Sequence, residues 1–507
     1  MKKTIWPISS LLCIICIFLC NFPAANNARA WTEPRQLTND LAFLNPLATC
    51  FGRNLYVVGW TGGGQDFSFL RSWNSGFSWL EPIQPADTFY AGSDVVDIEY
   101  TSDNLIHVVW EGWFEGGNRS QLFHQSSSDN GMHWSNRHHV FNNSDLSLSY
   151  PRLASKGDTL FLVYTMGGSM YFCRSFDCGL TWEQPRRADT AQGMSYRPTI
   201  LYSQGRLHLV YQLNISDGGI KIYYSRSDDF GLNWTPRIYL SSYEPGPPFY
   251  ASQFPSAYAD ENGHIASAWF DYQYGSMCGV TGDILARISI DNGDSWLPEA
   301  RLTYTQSGSS SSCLILNDII YIAWEDSWQY GCDYSKIVIS SSDNWGGSWS
   351  QAQVMTGPEA LIEHAPFLLH SFEGRDTVIH CFYDIYNPSS DLYYVRSKPY
   401  YSDRMVLPGN IPVVLKLKAY PNVFNSSTLI TFDNSEGGDV QLEIFDVNGK
   451  KVWSRCVFGK EGSIVWDAID NRGATVCSGI YFVRAQYGSK ATSASQESQT
   501  IKLIYLK

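Results

Sequence analysis

Beyond its first thirty residues this 507-residue chain has no apolar run long enough to cross a membrane as a helix. It also lacks the closely spaced cysteine and histidine pairs of a zinc site. Of twelve cysteines three fall within residues 1–30, and the other nine are an odd number at no metal-like spacing. No metal and no cofactor are expected. Missing too is any surplus of cations: 36 Lys and Arg face 49 Asp and Glu, a net charge of −13. Losing Lys2, Lys3 and Arg29 with the first thirty residues would deepen it to −16. A surface so acidic offers no attraction to nucleic acid or to an anionic membrane. Among the remaining cysteines, Cys278 and Cys332 fall in equivalent loops of neighbouring repeats, and Cys456 and Cys477 share the last domain. Either pair could bridge in an oxidising compartment.

The first thirty residues read as a secretory signal peptide. Lys2 and Lys3 make a basic start, Ile8 to Leu19 is apolar, and Ala28-Arg29-Ala30 is a small-x-small cleavage site. Leu19 stands where a lipoprotein signal at Cys20 would want a small residue. The mature chain is therefore expected to be exported and soluble, without a transmembrane span. Eighteen Trp, 31 Tyr and 26 Phe suit stacked β cores and, in exported proteins, sugar-binding faces.

One unit recurs along most of the chain: "SYPRLASKGDTLFLVYTMGGSMYFCRSFDCGLTWEQPRR", residues 149–187. It divides into four short strands, around Pro151–Ala154, Leu160–Tyr164, Met170–Arg174 and Trp182–Arg186, separated by glycine-containing turns. Its second strand, "LFLVY", returns as "LYVVGW", "IHVVW", "LHLVY", "IASAW", "IIYIAW" and "VIHCFY". Such runs fit strands covered on both faces. The turn "SFDCGLTW" returns in boxes ending at Trp79, Trp134, Trp182, Trp234, Trp296 and Trp349. The first has Asn74 for aspartate, and the last, "SSDNWGGSW", reads as one residue longer. Residues 364–397 supply three more strands and no box, while "WTEPRQLT" (31–38) resembles the strands that follow other boxes. Pairing that segment into the last unit closes a ring and removes exposed edges. The count is then seven units, with six as the alternative.

These boxes resemble the Asp-box (BNR) repeats of the sialidase-like propeller superfamily over residues 31 to about 400. The resemblance implies an all-β β-propeller, and the repeat count gives it seven blades, where sialidases have six. The box serines and aspartates are expected to bond their own turn, glycine to supply positive φ, and tryptophan to pack between blades. The boxes then lie opposite the face where second strands end and first strands begin. That other face gathers the candidate catalytic acids Glu111, Asp271, Glu325 and Asp384. It also gathers the candidate ligand-binding residues Arg152, Arg197, Trp113, Tyr196, Tyr272, Trp328, Asp326 and His364. Aromatic faces stack on sugars, and a suitably separated carboxylate pair can cleave glycosides. Sialidases hold their substrate with three arginines, the first early in the propeller; here the first unit reads "LNPLAT", without arginine. The expected role is glycan recognition without a complete sialidase set. A glycoside hydrolase and a protein-binding platform are the alternatives.

After the stretch 401–418, expected as a linker, the pattern changes to alternating strands between Asn-Gly and Gly turns, a small Ig-like β-sandwich over 419–507. Tyr420-Pro421-Asn422, the turn Asp446-Val447-Asn448-Gly449, Gly479-Ile480-Tyr481 and the closing strand resemble the C-terminal sorting domain of type IX secretion cargo. That resemblance implies a Bacteroidota-type bacterium, engagement of outer-membrane secretion machinery, and display at the cell surface or release.

Overall fold

The computed structural model describes residues 31–39, 41–61, 66–85, 96–101, 104–113, 119–140, 146–189, 193–215, 219–242, 252–276, 281–327, 334–357, 361–373, 376–386, 390–397, 415–434, 439–458, 461–471, 473–487 and 497–506. The first thirty residues, Trp328, Cys278 and Cys332 lie outside them.

Within residues 31–397 the described residues form seven antiparallel sheets, six of four strands and one of three. We number them 1 to 7 by their first strands: Phe43–Phe51, Val96–Tyr100, Leu148–Lys156, Met194–Ser203, Ser252–Ala259, Gly308–Leu316 and Ile362–Glu373. Each first strand lies against the next, and the seventh lies against the first, so the sheets close a ring. The second strands are covered on both faces; in Thr159–Met166 every residue after the first is buried. The expected closure is present. Arg35–Gln36 pair antiparallel with Tyr393–Tyr394 as the outer strand of sheet 7. The buried hydroxyl of Thr38 donates to Asp391 Oδ1 at 3.0 Å.

The boxes are turns with a fixed wiring. In "SFDCGLTW" Ser175 Oγ donates to Asp177 at 2.7 Å and accepts from the Gly179 amide, while the Thr181 amide donates to Asp177 at 2.8 Å. These donors outweigh the cost of partial burial and hold the Asp177 carboxyl below its ordinary range. The last box differs from the expectation. Ser342, Asn344, Gly346 and Ser348 make the same bonds at the same spacing, so Asn344 takes the aspartate's place and no residue is extra. Each box tryptophan packs on the preceding sheet: Trp134 on Phe69 at 5.1 Å, Trp234 on Phe172 at 5.6 Å, and Trp79 on Phe382 of sheet 7 at 5.7 Å. That packing also shortens the fourth strand of the unit quoted above to Arg186–Arg187, because Trp182 turns toward His124 of sheet 2.

Residues 415–506 form two further sheets, one of three strands and one of four, around a core of Leu417, Ile430, Phe432, Leu442, Trp466 and Val483. The first strand, Leu415–Tyr420, begins inside the stretch expected to be a linker. Cys456 and Cys477 are both exposed and are not bonded to each other, so the possible bridge within this domain is not formed.

Candidate functional site

A bulge recurs near the start of the first strands. In sheets 1, 3, 4, 5 and 7 the pairing register slips so that two residues oppose one; in sheet 6 it slips by a single residue. The bulged residues are Asn45, Tyr150, Arg197, Phe254, Ser310 and Ala365, and all have positive φ, from 28° to 55°. Five of them precede a proline. A side-chain-bearing residue at positive φ is uncommon, and proline restricts its predecessor toward extended backbone. Strain of this kind concentrates at ligand sites. These six residues stand around one end of a cavity of about 660 Å³ lined by the first strands of all seven sheets.

The bulge register sorts the candidate acids. Glu325 and Asp384 lie opposite the residue just before the bulge; Glu111 of sheet 2 follows Trp110, which pairs with Val96. Asp271 and Asp326 lie one residue further on and so point to the other face of their strands. Both are spent on structure. Asp271 is fully buried, accepts the Ser252 hydroxyl at 2.5 Å and caps the turn Tyr272–Tyr274 through the Gln273 amide. Asp326 accepts the Ser307 hydroxyl at 2.8 Å and Trp324 Nε1 at 3.0 Å. Aligning "FD" with "YD" by eye misses this offset, because Trp269, not Phe270, is the counterpart of Tyr383. Asp271, a candidate acid, and Asp326, a candidate ligand-binding residue, are thus both engaged within their own sheets.

On one side of the cavity mouth the bulge brings three candidates together. His364 Nδ1 lies 3.0 Å from Glu325 of sheet 6, and His364 is the register partner of Asp384. The Asn45 amide of sheet 1 donates to Asp384 at 3.4 Å. Burial pushes the Asp384 carboxyl up to about 7; the charge of His364 opposes that rise and Glu325 adds to it. Burial alone would lower His364, but the hydrogen bond and charge of Glu325, with the charge of Asp384, carry it above its ordinary value. His364 is the accessible member, its side chain 39% exposed against 10% for Glu325. An imidazole held by a carboxylate, beside a carboxyl that titrates near neutrality, can accept or release a proton at the mouth.

The other side carries aromatics and cations. The Arg197 guanidinium lies 3.8 Å from the centre of the Phe254 ring and 5.6 Å from that of Tyr150, so three successive bulge residues stack across three sheets. Arg152 donates to the carbonyl of Pro151 and faces Asp97, whose buried carboxyl is raised. Tyr196 pairs in register with Gln212, and Tyr272 meets Phe270 edge-on at 5.3 Å. The side chain of Trp113 lies outside the described residues, as does Trp328. Sequence reading missed Gln212, whose Oε1 accepts the Phe254 amide at 2.9 Å, and Phe254 itself. The repeated X-Pro near the start of first strands was the signal that could have found the bulge residues.

No family model matches the chain, and no curated protein matches it. Solved structures do. An ulvan lyase of a new polysaccharide lyase family, bound to a GlcA(1-4)Rha3S unit, superposes with a TM-score of 0.52 at 12% identity, covering 71% of this chain and 95% of that one. A second polysaccharide lyase gives 0.51 at 11% identity over 73% and 99%. The chain has the β-propeller fold. A Trypanosoma rangeli sialidase mutant is a more distant likeness of the propeller, with a TM-score of 0.40 at 11% identity over 82% and 85%.

Away from the mouth, Asp260, His264 and Asp318 place potential ligand atoms within 4.8 Å of one another. Asp260 is already engaged there, with the Asn262 and His264 amides on Oδ1 and His264 Nδ1 on Oδ2. These residues sit on hairpin turns at the end of the first strands remote from the bulges. No helix among the described residues is long and apolar enough to cross a membrane.

Proposed function

We propose that residues 31–397 are a seven-bladed, sialidase-like propeller that binds an extracellular glycan at the mouth of its axial cavity. One observation carries the reading. Strained bulges in successive sheets set Tyr150, Arg197 and Phe254 on one side of that mouth and the Glu325–His364–Asp384 cluster on the other. A stacked aromatic platform facing hydrogen-bonding and ionisable groups matches the two sides of a sugar, its C–H face and its hydroxyls or carboxylate. Residues 1–30 serve as the export signal. The C-terminal unit, an Ig-like sandwich, serves as the sorting domain that engages outer-membrane secretion machinery. The sequence motifs support both roles, and with them a location at the cell surface or outside it.

The mature net charge of −16 does not oppose an acidic sugar, because Arg152 and Arg197 line the cavity and the part-exposed His364 lies beside it. A second reading, glycoside cleavage, is favoured by the His364 cluster alone. Glu325 holds Nδ1, which leaves Nε2 as the proton-exchanging atom. The test is the mature full-length protein on an array of neutral, uronate-bearing, sulfated and sialylated glycans, with released sugar measured in the same wells. Binding that falls at least tenfold in Arg197→Ala, at unchanged Tm, is the expected result. Released product would establish the second reading, and no retention of any glycan would overturn both.

A further inference from the structure

A second arginine on the mouth face lies across aromatic rings, away from the cavity. The Arg301 guanidinium is 3.6 Å from the centre of the Tyr274 ring and 4.4 Å from that of Tyr304. Tyr274 belongs to the capped turn after the second strand of sheet 5, and Tyr304 to the segment joining sheet 5 to sheet 6. Both start where first strands begin, so both belong to the mouth face. Given the glycan reading of the mouth, we propose that Tyr274, Arg301 and Tyr304 form a second sugar subsite, and that the ligand is a polysaccharide chain rather than a single terminal sugar.

The site is built rather than incidental. Arg301 Nη2 is 2.5 Å from Asp283 Oδ2, and its Nε donates to the Thr303 carbonyl at 3.0 Å. Asp283 is fully buried, and its Oδ1 accepts the Thr303 hydroxyl and the Gln306 amide. The guanidinium is thereby fixed, and it fixes the rings beside it. The Thr281 hydroxyl donates to the Gln306 carbonyl at 2.8 Å, and Gly282 and Gly308 exchange backbone bonds, which ties the two loops together. Yet Tyr304 is 71% exposed. An immobilised, exposed aromatic loses little entropy on binding. Because Asp283 neutralises Arg301, this subsite reads ring shape and hydroxyls rather than charge.

It is also connected to the mouth. Arg197 lies on Phe254, Phe254 stacks on Phe270 at 5.4 Å, and Phe270 meets Tyr272, which shares its turn with Tyr274. Asp271 caps that turn. Phe270 is buried, so these contacts brace the turn from below; from the first strand to Arg301 on the fourth they run outward across sheet 5, the direction a chain leaving the mouth would take.

The test is calorimetric titration of the mature full-length protein with oligosaccharides of two to eight sugars prepared from ulvan, arabinan and polygalacturonate. For the wild type, affinity should rise at least tenfold with length on the source that binds. Tyr304→Ala should abolish that rise and leave the shortest fragment's affinity unchanged, Tyr304→Phe should keep it, and Arg197→Ala should weaken every length. A rise that survives in both Tyr304→Ala and Tyr274→Ala overturns the subsite, as does a wild type indifferent to length, while glycan recognition at the mouth stands. Failure of every fragment to bind overturns the subsite, while recognition at the mouth is decided by the glycan array.

Discussion

His124 sits where sheets 4 and 7 place a tyrosine. In those sheets a second-strand histidine meets the neighbouring phenol, His208 with Tyr224 at 2.8 Å and His380 with Tyr394 at 2.7 Å. In sheet 2 the partner of His107 is a second imidazole, His124, at 3.1 Å, and His138 follows at 3.3 Å. Burial holds His124 well below its ordinary value, and the neighbouring histidines push the same way. An unfolded histidine titrates near 6.5. The neutral buried ring therefore contributes stability above that pH, and the contribution is lost as the pH falls below it. His208, held at about 4 chiefly by burial, acts in the same direction. His364 has the opposite sign: its ion pair with Glu325 helps most below pH 6.5 and fades as the pH rises through its elevated value. Buried carboxyls pull the other way, Asp384 raised to about 7 and Glu99 to about 8, chiefly by burial, so the histidine contribution is read as a difference: between pH 7 and pH 5 His124→Tyr should lose less Tm than the wild type. An identical change in the two proteins would count against the account. The candidate acids show how little of this scale is legible in sequence. Glu325 and Asp384 share a place in the register, but a one-residue offset separates them from Asp271 and Asp326, and only the pairing register reveals it.

The box turns are the elements that sequence reads best, because their bonds are local and their spacing is fixed. What the sequence hides is their neighbour. Gly231 has φ of 86°, and a Cβ there would run into the Phe172 ring of the preceding sheet. Gly205 has φ of 84° in an open hairpin, with nothing near. Both alanine substitutions should strain the backbone, at about 1–3 kcal/mol, but only Gly231→Ala also overpacks an interface, at a further ~1–3 kcal/mol. Thermal denaturation should show the larger loss for Gly231→Ala. Equal losses would mean that the box glycine serves conformation alone. The bulges are the converse case: their X-Pro pairs are plain in sequence, yet the positive φ and the stacking of Arg197 on Phe254 depend on three sheets at once.

At the scale of the whole molecule, the ring closes through a two-residue strand. Thr38 and Asp391 are 353 positions apart, so this pairing forms only after nearly all of the propeller exists. Gln36 Nε2 also donates to Asp391, and the Leu392 amide donates to Thr38 Oγ1. Asp391→Ala removes the acceptor shared by both side chains and leaves a buried hydroxyl unmatched, a cost of about 1–3 kcal/mol. Trypsin should then cut after Arg35 faster than in the wild type, as read by fragment mass. An unchanged rate would mean the clasp does not depend on Asp391. This closure was legible because residues 31–38 resemble the other outer strands; the cavity was not, because no single strand encloses it. The bulges around that cavity have one more consequence. The fold asks each position for a left-handed backbone, and it has accepted asparagine, tyrosine, arginine, phenylalanine, serine and alanine there. The rim is thus a set of interchangeable slots, where recognition can be rewritten one side chain at a time without redesigning the scaffold beneath.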